Sequence, residues 1–205
     1  MRLFILGASG KTGTQLIDLA LARNHEVTAF VRSPEKITRQ HPLLNLQRGD
    51  PHSADALASA LPGHDAVLSA LGVRPPQAFR PHTLVEDCAA STVAAMTRAG
   101  VRRLVLVSVA VLFPEKGLRF AFFRWLLTQI VRDLAAAEQI VRATSLDWTI
   151  ARPPRLVNGP DKAYRSRRDA LPAGGFSMSF RAVAAFMLDA VEQRTHVHEI
   201  VGLAS

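Results

Sequence analysis

The opening residues constrain the fold most, because a short apolar run is followed at once by three evenly spaced glycines. Residues 3–6 are all apolar, a run too short for a buried helix and typical of a strand covered on both faces. Gly7, Gly10 and Gly13 follow as G-x-x-G-x-x-G, and the residues after them have the apolar spacing of a helix. This spacing lets the chain turn, lets a pyrophosphate approach the backbone and lets the helix pack on the sheet. With the free N–H groups of the helix start, the opening predicts a dinucleotide site.

A phosphate-binding loop of the nucleoside triphosphatases is the main competing interpretation. Gly10-Lys11-Thr12 matches the end of its pattern, G-x-x-x-x-G-K-[ST]. The first glycine of that pattern would fall at Ile5, inside the predicted strand. The triphosphatase interpretation is therefore disfavoured, and a chance glycine-rich turn stays as the plain alternative.

The end of the second predicted strand, at residues 26–31, indicates which cofactor the site prefers. NAD-binding sheets place an acidic residue about 20 positions past the glycines, on the ribose 2′-hydroxyl. Here the strand end continues into Arg32 and Ser33, with no carboxylate. A guanidinium beside a hydroxyl suits a 2′-phosphate, whereas a solvated arginine is the plain alternative. The pattern predicts NADP(H) in preference to NAD(H).

Strands and helices alternate through the rest of the chain. Further strands are predicted at residues 43–48, 65–71, 103–108, 147–151 and 196–201, and helices at 14–24, 53–61, 83–99, 118–143 and 181–191. The fifth strand, 103–108, is expected to be apolar inside. Because parallel crossovers are right-handed, this order predicts an α/β class fold. The predicted architecture is a doubly wound parallel sheet with helices on both faces, in a single domain over residues 1–205.

The long helical stretch at 118–143 has two halves of different character. Residues 120–127 are apolar almost all round, which indicates burial in a lid or against a partner subunit. The second half carries Asp133, Glu138 and Arg142 among alanines and is predicted to be an ordinary surface helix.

The substrate side of the domain is expected mainly from residues 109–130 and 152–180. Residues 155–178 are rich in Gly, Pro and Arg and are predicted to be an irregular loop, long enough to be functional.

Composition restricts the compartment and the partners. No signal peptide and no apolar segment of about 20 residues is present, so no membrane association is expected. Cys88 is the only cysteine and lies in an alanine-rich helical stretch, which favours a buried structural residue and a cytoplasmic protein. The net charge of +8 comes from scattered arginines with only 6% aromatic residues. Attraction of a phosphorylated cofactor or an anionic substrate accounts for it, and no specific nucleic-acid binding is expected.

The chain carries one weak metal pattern. His196-x-His198 places two imidazoles on one face of the last predicted strand, but no third ligand is evident nearby. No metal is predicted.

Several runs together resemble one family over nearly the whole length. The chain is similar to the atypical short-chain dehydrogenases/reductases, in the NAD(P)-binding group of NmrA-like proteins and biliverdin-IXβ (flavin) reductases. The motifs are GASGKTG at 7–13, Val31-Arg32-Ser33, Gly49-Asp50, Leu71-Gly72, Val107-Ser108, residues 146–154 and Asn158-Gly159-Pro160. The run at 146–154 is the most specific of them.

The resemblance implies a Rossmann-like fold with NADP(H) along the strand ends. It assigns the pyrophosphate turn to Gly7, Ser9, Gly10, Lys11, Thr12 and Gly13, and the 2′-phosphate to Arg32 and Ser33. It assigns the adenine to Asp50, the ribose to Leu71 and Gly72, and the nicotinamide to Ser108 and Pro154.

The chain departs from the wider superfamily at the catalytic pair. Typical members carry Tyr-x-x-x-Lys, in which the tyrosine is a general acid. Counting back from Glu138, which resembles a family glutamate four residues past that lysine, gives Leu134 and Ile130. Neither of these apolar side chains can transfer a proton. The one tyrosine, Tyr164, follows the sixth strand instead.

Without the pair, hydride transfer to a conjugated acceptor such as a flavin, quinone or tetrapyrrole is favoured over carbinol oxidation. Ser108 is expected to hydrogen-bond the carboxamide or the acceptor, Arg155 to stabilise developing negative charge, and Tyr164 to stack on the acceptor or merely pack the loop. The alternative is a catalytically silent NADP(H)-sensing regulator of NmrA-like type. The expected partner is a small anionic or aromatic molecule, with the chain a monomer or a homodimer.

Overall fold

The computed structural model describes residues 1–72, 83–114, 128–159 and 163–205. The helices are α1 (Lys11–Ala22), α2 (Ala54–Ala60), α3 (Leu84–Ala99), α4 (Thr128–Arg142) and α5 (Phe180–Glu192). The strands are β1 (Arg2–Leu6), β2 (Glu26–Val31), β3 (Leu44–Arg48), β4 (Ala66–Ser69), β5 (Arg103–Val107), β6 (Asp147–Arg152), β7 (Arg155–Val157), β8 (Arg165–Arg168), β9 (Ser177–Ser179) and β10 (Glu199–Ala204).

The main sheet has the strand order β3-β2-β1-β4-β5-β6-β10-β8. All neighbours are parallel except the last pair, β10 and β8. The order reverses beside β1, where Leu3 lies opposite Val27 of β2 on one side and Ala66 of β4 on the other. A ligand crevice opens at such a reversal, outside the carboxyl ends of the strands. The predicted α/β doubly wound fold is confirmed.

Two apolar cores cover the two faces of the sheet. Leu3 and Ile5 of β1 face the core that α1 and α5 complete, whereas Phe4 and Leu6 face the core that α2, α3 and α4 complete. Successive side chains of a strand point to opposite faces. Burial on both sides therefore explains why β1 is a continuous apolar run rather than an alternating one.

Local signals in the sequence correctly marked several element ends. The second strand has the predicted bounds, residues 26–31. Ser53 caps α2, with its hydroxyl accepting from the Ala56 N–H at 3.2 Å, and Gly100 ends α3 at φ +70°. Cys88 is fully buried in α3, and burial raises its pKa to about 12. The predicted burial of Cys88 is confirmed, and a thiol with a raised pKa stays protonated at neutral pH.

The prediction of an irregular loop over 155–178 was wrong. This range contains β7, β8 and the first two residues of β9, with β7 parallel to β9 and β8 antiparallel to β10. All four residues of β8 are exposed. Their sequence, RSRR, has no apolar alternation, so only the backbone pairing with β10 reveals the strand.

The bounds predicted for the last strand were also wrong. It runs from Glu199 to Ala204, and His196 and His198 precede it with φ of +58° each. His196 Nδ1 lies 2.8 Å from the Glu199 carboxylate, and His198 Nε2 lies 2.9 Å from the Leu146 carbonyl. The two imidazoles therefore do not share a strand face. The described ranges hold no group of three His, Cys, Asp or Glu residues that could bind a metal.

The fifth strand begins with a buried charge rather than being apolar throughout. Arg103 is 7% exposed and donates to the carbonyls of Asp147, Ala190 and Thr195 and to the Thr149 hydroxyl. Burial lowers its pKa to about 10. One guanidinium thus joins β5, β6 and the C-terminal end of α5.

Two expectations fall wholly or partly on residues that are not described. The apolar segment 120–127 lies outside the described residues, and α4 is described from Thr128 onward. Among the helices that are described, none has the length and apolar character needed to cross a membrane.

Candidate functional site

The glycine turn joins β1 to α1 at the point where the strand order reverses. Gly7 has φ +74°, and a Cβ there would lie 2.5 Å from the Ala70 carbonyl oxygen. A Cβ on Gly13 would lie 2.2 Å from the Gly7 carbonyl oxygen. The turn therefore requires glycine at both positions. Gly10 is the N-cap of α1 with no side-chain cap, so the first N–H groups of the helix stay available to a ligand.

A cleft of about 640 Å³ opens beside this turn. Lys11 lies in its wall, with Nζ 5.2 Å from the centre of the Phe180 ring. The lining is mainly apolar, and it comes from α1, the ends of β4 and β5, α3, α4, β7 and α5. The lining residues are Gly10, Lys11, Thr12, Ala70, Leu71, Gly72, Val85, Val107, Ser108, Val109, Ile130, Asp133, Leu134, Leu156 and Phe180. Six residues that the resemblance assigns to the cofactor thus share one cavity: Gly10, Lys11, Thr12, Leu71, Gly72 and Ser108.

Ser108 directly follows β5 at the edge of the cleft. It is 6% exposed, and its backbone N–H donates to the Ala151 carbonyl at 2.7 Å. Its Oγ is buried and has no hydrogen-bond partner among the described residues. A buried hydroxyl without a partner is unfavourable, which is consistent with a group that a ligand completes.

Helix α4 supplies one wall of the cleft. Ile130 and Leu134, which stand where relatives carry the tyrosine and the lysine, both line it. Between them, Asp133 accepts hydrogen bonds from the Val85 N–H at 3.0 Å and the Glu86 N–H at 2.8 Å. It is 2% exposed. Asp133 therefore caps α3 from a neighbouring helix, where a carboxylate also complements the helix dipole.

The prediction that this half of α4 is a surface helix was wrong at Glu138 as well. Glu138 is buried and receives two hydrogen bonds from Arg152, at 2.9 Å and 2.5 Å. The Arg152 guanidinium also lies 4.7 Å from the centre of the Phe113 ring. This brace, formed by Glu138, Arg152 and Phe113, fixes α4 against the end of β6 and the segment that follows Ser108.

The ends of β2 and β3 lie side by side at the adenosine end of the predicted site. Arg32 is exposed, and its guanidinium makes no hydrogen bond or ion pair within the described residues. Arg48 ends β3 opposite Val31 and donates to the Arg32 carbonyl at 3.3 Å. It also pairs with Glu35 at 3.2 Å. Neither Arg48 nor Glu35 was predicted from the sequence, because the pairing of β3 with β2 brings Arg48 to Arg32 and Glu35 is known to belong here only by its contact with Arg48.

Asp50 follows β3 and is exposed. Its Oδ1 accepts from the His52 N–H at 3.1 Å and lies 2.9 Å from His52 Nδ1. These bonds to His52, followed by the charge of Arg32, lower the pKa of the carboxyl group. The carboxylate thus shapes the turn into α2, and its Oδ2 has no partner within the described ranges.

The remaining candidates lie outside the cleft lining: Ser9 is exposed, Ser33 is half-buried beside Arg32, and Pro154, Arg155 and Tyr164 lie after β6. Pro154 is half-buried after β6, and Arg155 is exposed, whereas its neighbour Leu156 reaches the cleft. The Tyr164 hydroxyl donates to Asp189 at 2.6 Å, and burial together with that carboxylate raises its pKa.

Tyr164 lies far from the cleft. Asp189 also binds Arg23, the C-cap of α1. Lys11, which lines the cleft, is twelve residues earlier on α1, a separation of about 18 Å along a helix. Tyr164 therefore packs its loop against α5.

The residues present fit a dinucleotide. The glycine turn leaves helix N–H groups for a pyrophosphate, Arg32 is an unpaired cation for a phosphate, and Ser108 has a buried oxygen that needs a partner. These three features follow one line, from the end of β2 across β1 to the end of β5.

The chain is similar to known proteins in sequence and in fold. A family model described as NAD(P)H-binding matches residues 7–194. An uncharacterized chloroplastic protein of Arabidopsis thaliana is 30% identical over 218 residues, covering 99% of this chain and 77% of that protein. A Rossmann-fold NAD(P)-binding family protein from Shigella flexneri has a TM-score of 0.79 and 26% identity, covering 100% and 93% of the two chains. A short-chain dehydrogenase/reductase of Veillonella parvula in complex with NADP has a TM-score of 0.80 and 23% identity, covering 100% and 94%.

Proposed function

The chain belongs to the NAD(P)H-binding family, and on that premise we propose that it is an NADPH-dependent reductase. Its acceptor is a conjugated molecule such as a flavin, a quinone or a tetrapyrrole. The apolar pair Ile130 and Leu134 in the cleft wall carries this proposal. Carbinol oxidation needs a proton-transferring pair there, whereas an acceptor that takes hydride into a conjugated ring does not.

The residues of the chain act by binding and orientation. When bound, NADPH supplies the hydride. The start of α1 holds the pyrophosphate, and Ser108 donates to the carboxamide or to the acceptor. The mainly apolar walls keep water from the reacting faces. The proton that completes the two-electron reduction comes from solvent. Arg155, which is exposed next to the cleft-lining Leu156, is the cation assigned to stabilise negative charge as it develops.

The preference for NADPH rests on Arg32 and Ser33. Arg32 is a cation with no partner among the described residues, at the strand end where the ribose 2′ position falls. A fold neighbour, the Veillonella parvula protein, was solved with NADP. The finer placement among NmrA-like and biliverdin-IXβ or flavin reductase-like proteins belongs to the same proposal and rests on the motifs at 7–13 and 146–154.

The apolar, roomy cleft favours a flat aromatic acceptor, and the net charge of +8 favours an anionic one. We expect the protein to act in the cytoplasm as a monomer or a homodimer, without specific nucleic-acid binding.

A catalytically silent NADP(H)-sensing protein is the second candidate. The same observation favours it, because a cleft with Ile130 and Leu134 in place of an acid pair also suits binding without turnover. The two candidates share the cofactor and differ in whether NADPH is consumed.

The test is a fluorescence titration with NADPH and with NADH on the wild type and on Arg32→Ala. We expect Arg32→Ala to weaken NADPH binding toward the NADH value, by about tenfold or more for a lost charge-assisted bond. Arg167→Ala is the matched control. It removes another exposed arginine from β8, six strands away in the sheet or about 29 Å.

The same preparations are then mixed with NADPH and menadione or flavin mononucleotide, and absorbance at the reduced-nicotinamide band is followed. Oxidation of NADPH supports the reductase. Tight binding with no oxidation by either acceptor supports the sensor. Binding of neither nucleotide would overturn both proposals.

A further inference from the structure

The carboxyl ends of β2 and β3 bring together polar side chains that are far apart in the sequence. Arg48 is sixteen positions from Arg32. The register of the two strands nevertheless places Arg48 beside Val31, and one of its nitrogens donates to the Arg32 carbonyl at 3.3 Å. Its other terminal nitrogen is 3.2 Å from the Glu35 carboxylate. The predicted 2′-phosphate region therefore contains a second cation and a carboxylate.

Glu35 is held in this region as a carboxylate. Its own backbone N–H, the Ser33 hydroxyl and the Arg48 guanidinium lower its pKa, in that order of importance. Glu35 thus engages a cation, Arg48, that a phosphate would use. The side chains of Arg48 and Glu35 are 69% and 62% exposed. An ion pair this exposed is weak and can exchange partners.

We propose that Glu35 is a specificity-determining residue that competes with the 2′-phosphate of NADP(H) for Arg48. The proposal rests on the dinucleotide function proposed above. NADP(H) binds with its phosphate between Arg32 and Arg48 after displacing Glu35 from Arg48. Glu35 thereby keeps the preference for NADPH over NADH below the value that two arginines alone would give.

Charge explains why the two nucleotides respond differently to Glu35. A phosphorylated hydroxyl carries about −1.5 to −2 charges near neutral pH and accepts hydrogen bonds only. It is repelled by the carboxylate and must take over the donors of Arg48 that Glu35 occupies. The ribose 2′-hydroxyl of NAD(H) can instead donate to that carboxylate. Glu35 therefore opposes one ligand and is compatible with the other.

The test measures dissociation constants for NADPH and NADH on the wild type, Glu35→Gln and Glu26→Gln. We expect Glu35→Gln to tighten NADPH by up to about fivefold, because an exposed ion pair worth up to about 1 kcal/mol no longer has to be broken to free Arg48. NADH binding stays unchanged or weakens slightly. Glu26→Gln makes the same change at the exposed start of β2, about 18 Å from Arg32 along the strand, and should leave both constants unchanged.

Arg48→Gln tests the other half of the proposal. It should weaken NADPH by about threefold to tenfold and leave NADH unchanged. In the double variant with Arg48→Gln, Glu35→Gln should tighten NADPH binding much less than it does in the wild type, because Glu35 acts largely by occupying Arg48. All of these side chains are exposed, so the variants are expected to fold normally.

Two results would overturn the inference while leaving the proposed function in place. One is an unchanged ratio of the NADPH and NADH constants in Glu35→Gln. The other is equal weakening of both nucleotides in Arg48→Gln. Failure of the wild type to bind either nucleotide would instead remove the proposed function, and the inference with it.

Discussion

Ser108 carries a buried hydroxyl oxygen that no described residue pairs, at the edge of the cleft. An unpaired buried polar group costs about 1–3 kcal/mol. Ser108→Ala should therefore leave the free energy of unfolding unchanged or raise it by about 1 kcal/mol, while kcat/KM for NADPH oxidation falls about threefold to tenfold. Chemical denaturation and steady-state kinetics check the two quantities. Unchanged kcat/KM would show that Oγ does not touch the reaction.

The sequence predicts single residues well where they follow a strand directly. Arg32 and Ser108 lie where their strands end, so their positions come from local pattern alone. Arg48 and Glu35 could not be found this way, since they reach Arg32 only through the pairing of β2 with β3 and a turn. The hydrogen bond from Tyr164 to Asp189 could not be predicted from local sequence either, because the two residues are far apart in the chain. This bond holds the Tyr164 hydroxyl away from the cleft.

Among the elements, α4 depends on a buried ion pair. Arg152 and Glu138 are 10% and 3% exposed and share two hydrogen bonds. Glu138→Gln leaves the Arg152 charge buried without a counter-ion, so we expect a loss of about 3–5 kcal/mol in the free energy of unfolding. Replacing both, as Glu138→Leu with Arg152→Met, should restore stability to about the wild-type value. Urea denaturation tests this, and a single variant within about 1 kcal/mol of wild type would contradict it.

Elements were predictable where apolar periodicity or a cap marked them. Ser53 marks the start of α2 and Gly100 marks the end of α3, as expected, because each residue acts on backbone groups within one turn of its own helix. Strand β8 carries no such signal, since its exposed residues are held only by β10. Asp133 and Glu138 looked like surface residues because their partners, the start of α3 and Arg152, lie on other elements. Polar residues with distant partners are therefore the main source of error at this scale.

For the whole molecule, the alternation of strands and helices was enough to predict the doubly wound class, because crossover handedness leaves few topologies. The positions of β10 between β6 and β8, and of β8 antiparallel at the edge, were not predictable. Both positions depend on strand pairings that the alternation of strands and helices does not specify. The candidate site does not depend on these pairings, because it lies at the ends of β1, β2, β4 and β5.

A cofactor that lies across several strands stabilises the whole fold by mass action. At one hundred times its dissociation constant, NADPH should add about 2.7 kcal/mol to the free energy of unfolding. For a chain of 205 residues this raises Tm by roughly 5–10 °C. At the same absolute concentrations NADH should raise Tm less, and Arg32→Ala should reduce the NADPH shift to near the NADH shift. Thermal unfolding measures all three, and equal shifts for both nucleotides in the wild type would show that Arg32 does not select the 2′-phosphate.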